Sequence, residues 1–107
     1  MNRLEQLWAW YKETPQDPFL LYALATEYKN TDPQQALQCF EQLLAQHPHY
    51  TATYYHLAAL YVEFGKRTDA LKVYQEGLKI CQQQKDAHAL RELQRAYKAF
   101  QDEEEDF

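Results

Sequence analysis

A pattern of small and aromatic residues occurs twice in this chain at a nearly constant separation. In the second copy, two apolar stripes are interrupted by a glycine, and the pattern residues are Tyr54, Leu57, Ala58, Tyr61, Gly65, Ala70 and Tyr74. Apolar residues spaced three or four places apart predict amphipathic helices. The first copy holds Leu21, Leu24, Ala25, Tyr28, Ala36 and Phe40. Ala25 precedes Ala58 by 33 residues and Phe40 precedes Tyr74 by 34, so a helix–turn–helix hairpin is predicted to repeat.

Both copies resemble the tetratricopeptide repeat, whose period is about 34 residues and whose two helices carry small and aromatic residues at these offsets. Pro48 matches the proline that closes such a repeat, whereas Gln82 stands at the equivalent place in the second copy. The resemblance implies an all-α fold in which helical hairpins stack as an α-solenoid. We expect about six antiparallel helices.

The predicted organisation is a single domain over residues 1–101, since 107 residues leave no room for a second. Helix starts are indicated by Asp17-Pro18 and Asp32-Pro33, because aspartate caps a first turn and proline is tolerated there. The expected segments are a capping helix over 1–16, repeats over 17–50 and 51–84, a solvating helix over 85–101, and a disordered acidic tail over 102–107.

Charge is unevenly distributed along the chain. The net charge is −5, but residues 64–101 hold eight Lys or Arg against four Asp or Glu, a net of +4. This alternation argues against a general nucleic-acid binder, which would carry a larger basic surface. No apolar run is long enough for a membrane span or a signal peptide. We therefore expect a cytoplasmic protein in which Cys39 and Cys81, both on apolar stripes, are free buried thiols rather than a disulfide.

The family resemblance also implies where a partner would bind. First helices of such hairpins line a concave groove that holds a peptide or a partner helix. The groove positions expected from the alignment are Phe19, Tyr22, Thr26 and Lys29 in the first repeat, Ala52, Tyr55, Ala59 and Val62 in the second, and His88, Arg91, Arg95 and Lys98 in the last helix. Aligning the last helix with the repeats requires a shift of two residues, because residues 82–84 lengthen the segment before that helix. Equally well, its basic residues could simply solvate that helix.

Other kinds of site are disfavoured by the sequence. Some members of the family bind acidic carboxyl-terminal peptides of chaperones, but Tyr22, Thr26 and His56 stand where that role needs lysine and asparagine. His47 and His49 flank Pro48 in a predicted loop without zinc-ligand spacing, so we expect no metal or other cofactor. No phosphate-binding loop or nucleophile motif occurs, and we expect no enzyme activity.

The sequence thus predicts a non-enzymatic protein-interaction module or scaffold that holds a peptide or helix in its groove. Tyrosines beside a basic stripe would suit an acidic partner with an apolar anchor. The alternative is structural self-association into a homo-oligomer through aromatic surface and opposite charges. A further hypothesis is that the acidic tail folds over the groove of its own or a neighbouring molecule.

Overall fold

The backbone forms six α-helices over the residues described here, 1–105, with side chains described as far as Glu103, in a computed structural model. The helices are α1 (Arg3–Glu13), α2 (Pro18–Tyr28), α3 (Pro33–Gln46), α4 (Ala52–Glu63), α5 (Arg67–Gln83) and α6 (Ala87–Glu105). The described residues contain no strand. The all-α prediction and the expected number of helices are therefore confirmed.

Short polar caps fix where several of these helices begin. Asp17 accepts a hydrogen bond from the Phe19 amide at 2.9 Å, and Asp32 accepts one from the Gln35 amide at 3.2 Å. Both aspartates precede a proline at the first helical position. A carboxylate there binds an amide that has no partner within the helix, while proline has no amide to lose.

The contacts divide the chain into two compact units, Met1–Thr53 and Tyr54–Phe107. In the first unit α2 packs against both α1 and α3. Leu7, Ala23 and Leu24 form a buried cluster with Leu4, Trp8 and Tyr11 packed against it. The Trp8 indole donates a hydrogen bond to the Tyr28 hydroxyl at 2.9 Å, which satisfies a polar group that would otherwise enter the apolar interface without a partner.

In the second unit, α5 packs against α6 and lies very close to α4. Gly77 makes that approach possible, because a Cβ there would stand 2.6 Å from Leu93 Cδ2 and 2.7 Å from Tyr54 Cβ. The turn between α4 and α5 needs the other glycine for a different reason. Gly65 has a φ of 74°, a left-handed conformation that glycine adopts without steric cost.

The residues of the repeated pattern are mostly buried. Phe40, Leu57, Ala58 and Ala70 have no exposed surface, and Tyr54 is 1% exposed. Tyr74 is also buried, whereas Tyr61 is half-buried. Cys39 and Cys81 are buried and free, as predicted. The division into one domain with the stated repeat boundaries stays a prediction.

The expectation of a disordered acidic tail is wrong for residues 102–105. Helix α6 continues through them to Glu105, so the acidic segment begins as the last turn of a helix. Residues 106 and 107, the rest of that predicted tail, lie outside the described residues. Within the described part of the chain, none of the helices combines the length and the apolar character that crossing a membrane requires.

Candidate functional site

A cavity of about 240 Å³ opens in the second unit among helices α4, α5 and α6. Its lining residues are Tyr55, Ala59 and Val62 from α4, Tyr74 from α5, and Ala96, Ala99, Phe100 and Glu103 from α6. The helical spacing explains this arrangement, since residues three or four places apart lie on one face of a helix. Alanines at two of the α6 positions leave space between the helices, and the cavity occupies that space.

Aromatic rings form much of the cavity wall. The Tyr74 ring lies 5.2 Å from that of Phe100 and 5.5 Å from that of Tyr97, measured between centroids. Tyr55 is 38% exposed, so part of its ring faces solvent at the cavity edge. The result is an apolar hollow with a tyrosine accessible to an incoming molecule, which is the chemistry of an anchor pocket.

Two opposite charges stand at the edge of this cavity. The Arg67 guanidinium lies over the Phe100 ring, 4.6 Å from its centroid. Its Nη1 atom is 3.9 Å from Glu103 Oε2. Burial raises the pKa of the Tyr74 hydroxyl above its usual value; Tyr55 and Glu103 raise it further, and Arg67 lowers it. The charges of Glu103 and Arg67 therefore act on the pKa of the Tyr74 hydroxyl in opposite directions.

The cavity includes some predicted groove residues and leaves others out. Tyr55, Ala59 and Val62 line it together, as expected for one face of α4. Ala52, the first residue of α4, is half-buried and does not line it. Whether any of these residues binds a partner stays a prediction.

The basic residues predicted for the last helix are not brought to this cavity. Arg91 and Arg95 are exposed on α6. His88 pairs with Glu92 at 3.3 Å and Lys98 with Asp102 at 3.6 Å, both along the same helix. The α6 residues at the cavity are Ala96, Ala99, Phe100 and Glu103 instead, displaced by one residue from Arg95 and Lys98.

Five residues that line the cavity were not predicted as site residues, because their sequence patterns only weakly indicate a binding role. They are Tyr74, Ala96, Ala99, Phe100 and Glu103. Tyr74 belongs to the repeated pattern, and both Tyr74 and Phe100 pack against each other and line the cavity. Ala96 and Ala99 are small residues three places apart, a spacing that places them on one helical face. Glu103 lies on the same face of α6 as these alanines. The sequence alone assigns it to the acidic tail, which was expected to be disordered.

The predicted groove residues of the first repeat lie along α2 in the first unit. Phe19 is 56% exposed, while the Tyr22 ring packs 5.7 Å from the Tyr50 ring. The Thr26 hydroxyl donates to the Ala23 carbonyl at 3.0 Å, and Lys29 is the carboxyl-terminal cap of α2. Phe19 is thus the most accessible of the four, and Tyr22 contributes to packing.

A second hollow in the first unit, about 350 Å³, is lined by residues around the loop histidines His47 and His49. Among the described residues, no group of three or more His, Cys, Asp or Glu side chains is arranged to hold a metal ion. Burial raises the pKa of the Cys39 and Cys81 thiols, which keeps them in the neutral, weakly nucleophilic form.

Comparison with known proteins supports the repeat pattern. The family model described as tetratricopeptide repeat matches residues 27–102. No match is found among curated proteins. A crystal structure of a tetratricopeptide repeat domain protein from Salinibacter ruber is 37% identical, with a TM-score of 0.75, over 79% of this chain and 97% of that one.

Two further structures are similar. A solution NMR structure of a tetratricopeptide repeat domain protein from Salinibacter ruber is 38% identical, covering 80% of this chain and 88% of that one, with a TM-score of 0.74. The crystal structure of MamA covers 96% of this chain and 67% of its own at 18% identity and a TM-score of 0.65, a likeness of fold alone. Since the family model spans most of the sequence and the repeated positions form the helical core, the chain belongs to the tetratricopeptide repeat family.

Proposed function

We propose that this chain is a non-enzymatic interaction module that holds a segment of another protein by inserting an apolar side chain into the cavity among α4, α5 and α6. Tetratricopeptide repeat domains bind protein partners in general, and the cavity supports a specific place for such binding. The observation that carries the proposal is an apolar hollow of about 240 Å³ edged by the exposed ring of Tyr55.

The size of the cavity favours a side chain over a free small molecule. Binding sites for small ligands commonly span roughly 300–1,000 Å³, and this hollow is smaller. A partner segment would add contacts outside the cavity, on the neighbouring helical surface. Because residues 64–101 carry a net charge of +4, acidic residues beside the apolar anchor would be favoured over basic ones.

Self-association is the alternative role, and exposed rings in the first unit favour it. Trp10 is 45% exposed and Phe19 is 56% exposed, and such rings are common anchors at protein interfaces. The cavity makes the peptide role the preferred one, because it offers an apolar hollow rather than a single exposed ring. Sedimentation velocity over a range of concentrations separates the two: a strict monomer at high concentration contradicts self-association.

The proposed role is tested by selecting peptides from a random display library on the wild-type chain and measuring their affinity for variants by fluorescence anisotropy. Tyr55→Ala removes the accessible wall, and we expect it to weaken binding by about tenfold or more, since aromatic anchors contribute strongly. Ala99→Leu should also weaken binding, because the larger side chain would fill the hollow.

Phe64→Ala is the matched control. Phe64 is 39% exposed, against 38% for Tyr55, and follows the end of α4 without lining the cavity. Its replacement should leave the affinity close to that of the wild type. If the selected peptides lose equal affinity with Tyr55→Ala and Phe64→Ala, or lose none with either, the cavity is not the binding site.

A further inference from the structure

Tyr74 is a buried side chain with a polar group in the wall of the cavity. It is 4% exposed and lines the cavity from α5. Its ring packs against those of Tyr97 and Phe100, at centroid distances of 5.5 Å and 5.2 Å. These contacts hold the phenol in place before any ligand binds, so the ligand does not have to order it.

The hydroxyl of Tyr74 has no hydrogen-bond partner among the residues that the structure describes. Thr53 Oγ1, by comparison, is enclosed by protein without a partner, whereas the Tyr74 oxygen is not fully enclosed. Because nearly all of Tyr74 is covered, the accessible part of its hydroxyl opens into the cavity that the side chain lines. Most buried hydroxyls are hydrogen-bonded within the protein, and this one is available to an occupant of the cavity.

The surroundings of this hydroxyl favour a neutral occupant with a polar tip. Burial raises the pKa of Tyr74, so the phenol stays protonated at neutral pH and can donate a hydrogen bond. Glu103 and Arg67 carry opposite charges at the cavity edge, so neither sign of charge is strongly favoured there. A purely apolar group would cover the Tyr74 hydroxyl and leave it unsatisfied. Tyrosine avoids this, because it joins an aromatic body to a terminal hydroxyl.

We propose that the Tyr74 hydroxyl determines the specificity of the cavity, which prefers a tyrosine side chain of the partner to a phenylalanine side chain. The incoming ring occupies the hollow beside Tyr55 and Phe100, and its hydroxyl accepts a hydrogen bond from Tyr74. This rests on the proposed function and adds to it the chemical class of the anchor. A site with an unpaired donor disfavours an analogue that lacks the matching group, because the donor then loses water without gaining a partner.

N-acetyltyrosinamide and N-acetylphenylalaninamide test this directly, since both are neutral and they differ only in the phenolic hydroxyl. Affinities are measured from the amide resonances of Val62 and Ala99 in two-dimensional NMR spectra of the full chain. The wild type should bind the tyrosine probe about two- to tenfold more tightly, the range that one net hydrogen bond gives. Tyr74→Phe should abolish this preference, because it removes the hydroxyl and keeps the ring. Binding of the phenylalanine probe reports that the cavity of this variant is intact.

Tyr97→Phe is the matched control. The Tyr97 ring packs against the same two rings, but it does not line the cavity, and its hydroxyl accepts a hydrogen bond from Gln75 Nε2 at 3.4 Å. This variant should keep the preference for the tyrosine probe.

Three results would overturn the role of Tyr74 while leaving the cavity an anchor site. They are equal binding of the two probes by the wild type, a preference that survives Tyr74→Phe, and a preference that Tyr97→Phe abolishes as fully as Tyr74→Phe does. If neither probe shifts the Val62 and Ala99 resonances of the wild type, the anchor cavity itself is contradicted, and the preference with it.

Discussion

At the scale of single residues, the two glycines show how one amino acid meets two separate physical demands. A Cβ at Gly65 would meet no neighbouring atom. Glycine is favoured there because the φ of 74° lies in the left-handed region. Gly77 has helical backbone and is required by the closeness of Leu93 and Tyr54. The sequence pattern predicts the interruption between two helices at Gly65, whereas the side chains that crowd Gly77 are identified only by the packing of Tyr54 and Leu93 around it.

Gly77→Ala is expected to destabilise the protein by about 1–2 kcal/mol, although alanine is the better helix former. Overpacking costs roughly 1–3 kcal/mol and the gain in helix propensity offsets up to about 1 kcal/mol of it. Urea unfolding measures the difference. Gly65→Asn is the comparison, because asparagine tolerates the left-handed region and meets no neighbouring atom. Equal or greater stability of Gly77→Ala would show that the helices can move apart freely.

At the scale of the helices, the starts of the elements were largely predictable from sequence, but the register of the last helix was not. Asp17 and Asp32 indicate where α2 and α3 begin, because a carboxylate before a proline caps the first turn of a helix. This capping is a local interaction and does not depend on tertiary packing. Which face of α6 meets the cavity depends on the turn after α5, where Lys85 has a φ of 56°. The alignment predicted Arg95 and Lys98 as groove residues, and the alanines that line the cavity, Ala96 and Ala99, each follow one of them by one residue.

Helix α5 differs from α2 and α3 at its amino-terminal end. Lys66 precedes it and makes no capping side-chain hydrogen bond to any residue that the structure describes. A serine hydroxyl there can accept a bond from the amide of the first turn. We expect Lys66→Ser to raise the free energy of unfolding by about 0.5–1 kcal/mol.

Thermal and urea unfolding of Lys66→Ser and Asp32→Ala together test this. Asp32→Ala removes an existing cap on α3 and should lower stability by about 1 kcal/mol. Should Asp32→Ala destabilise while Lys66→Ser brings no gain, the backbone before α5 cannot adopt a capping geometry.

At the scale of the whole molecule, packing makes the neutral forms of several buried groups the stable ones. Burial is the main cause that raises the pKa of Tyr54 from 10.0 to about 12, with Glu76 and Cys81 adding to it. Burial likewise raises the pKa of Tyr50, Tyr74 and both cysteines. In each case the folded protein retains a proton that the unfolded chain releases at lower pH.

This proton retention predicts unfolding in alkali. The stabilisation from Tyr54 is complete below pH 10 and is lost as the pH rises through 12, because ionisation then favours the unfolded chain. One unit of pKa shift corresponds to about 1.4 kcal/mol, so Tyr54 alone should account for about that loss at pH 11. Urea unfolding at pH 8 and pH 11 measures the loss. Tyr54→Phe should reduce it, and an undiminished loss would place the alkaline sensitivity elsewhere.

The continuation of α6 through residues 102–105 has an electrostatic consequence. Aligned peptide dipoles give the carboxyl-terminal end of a helix a partial negative charge, which disfavours acidic side chains there. Asp102 and Glu103 lie in the last turns of α6, close to that end. Arg67 opposes this repulsion from the neighbouring helix. The length of α6 is therefore coupled to the packing of α5 against it, since loss of the Arg67 charge would favour fraying of this helix end.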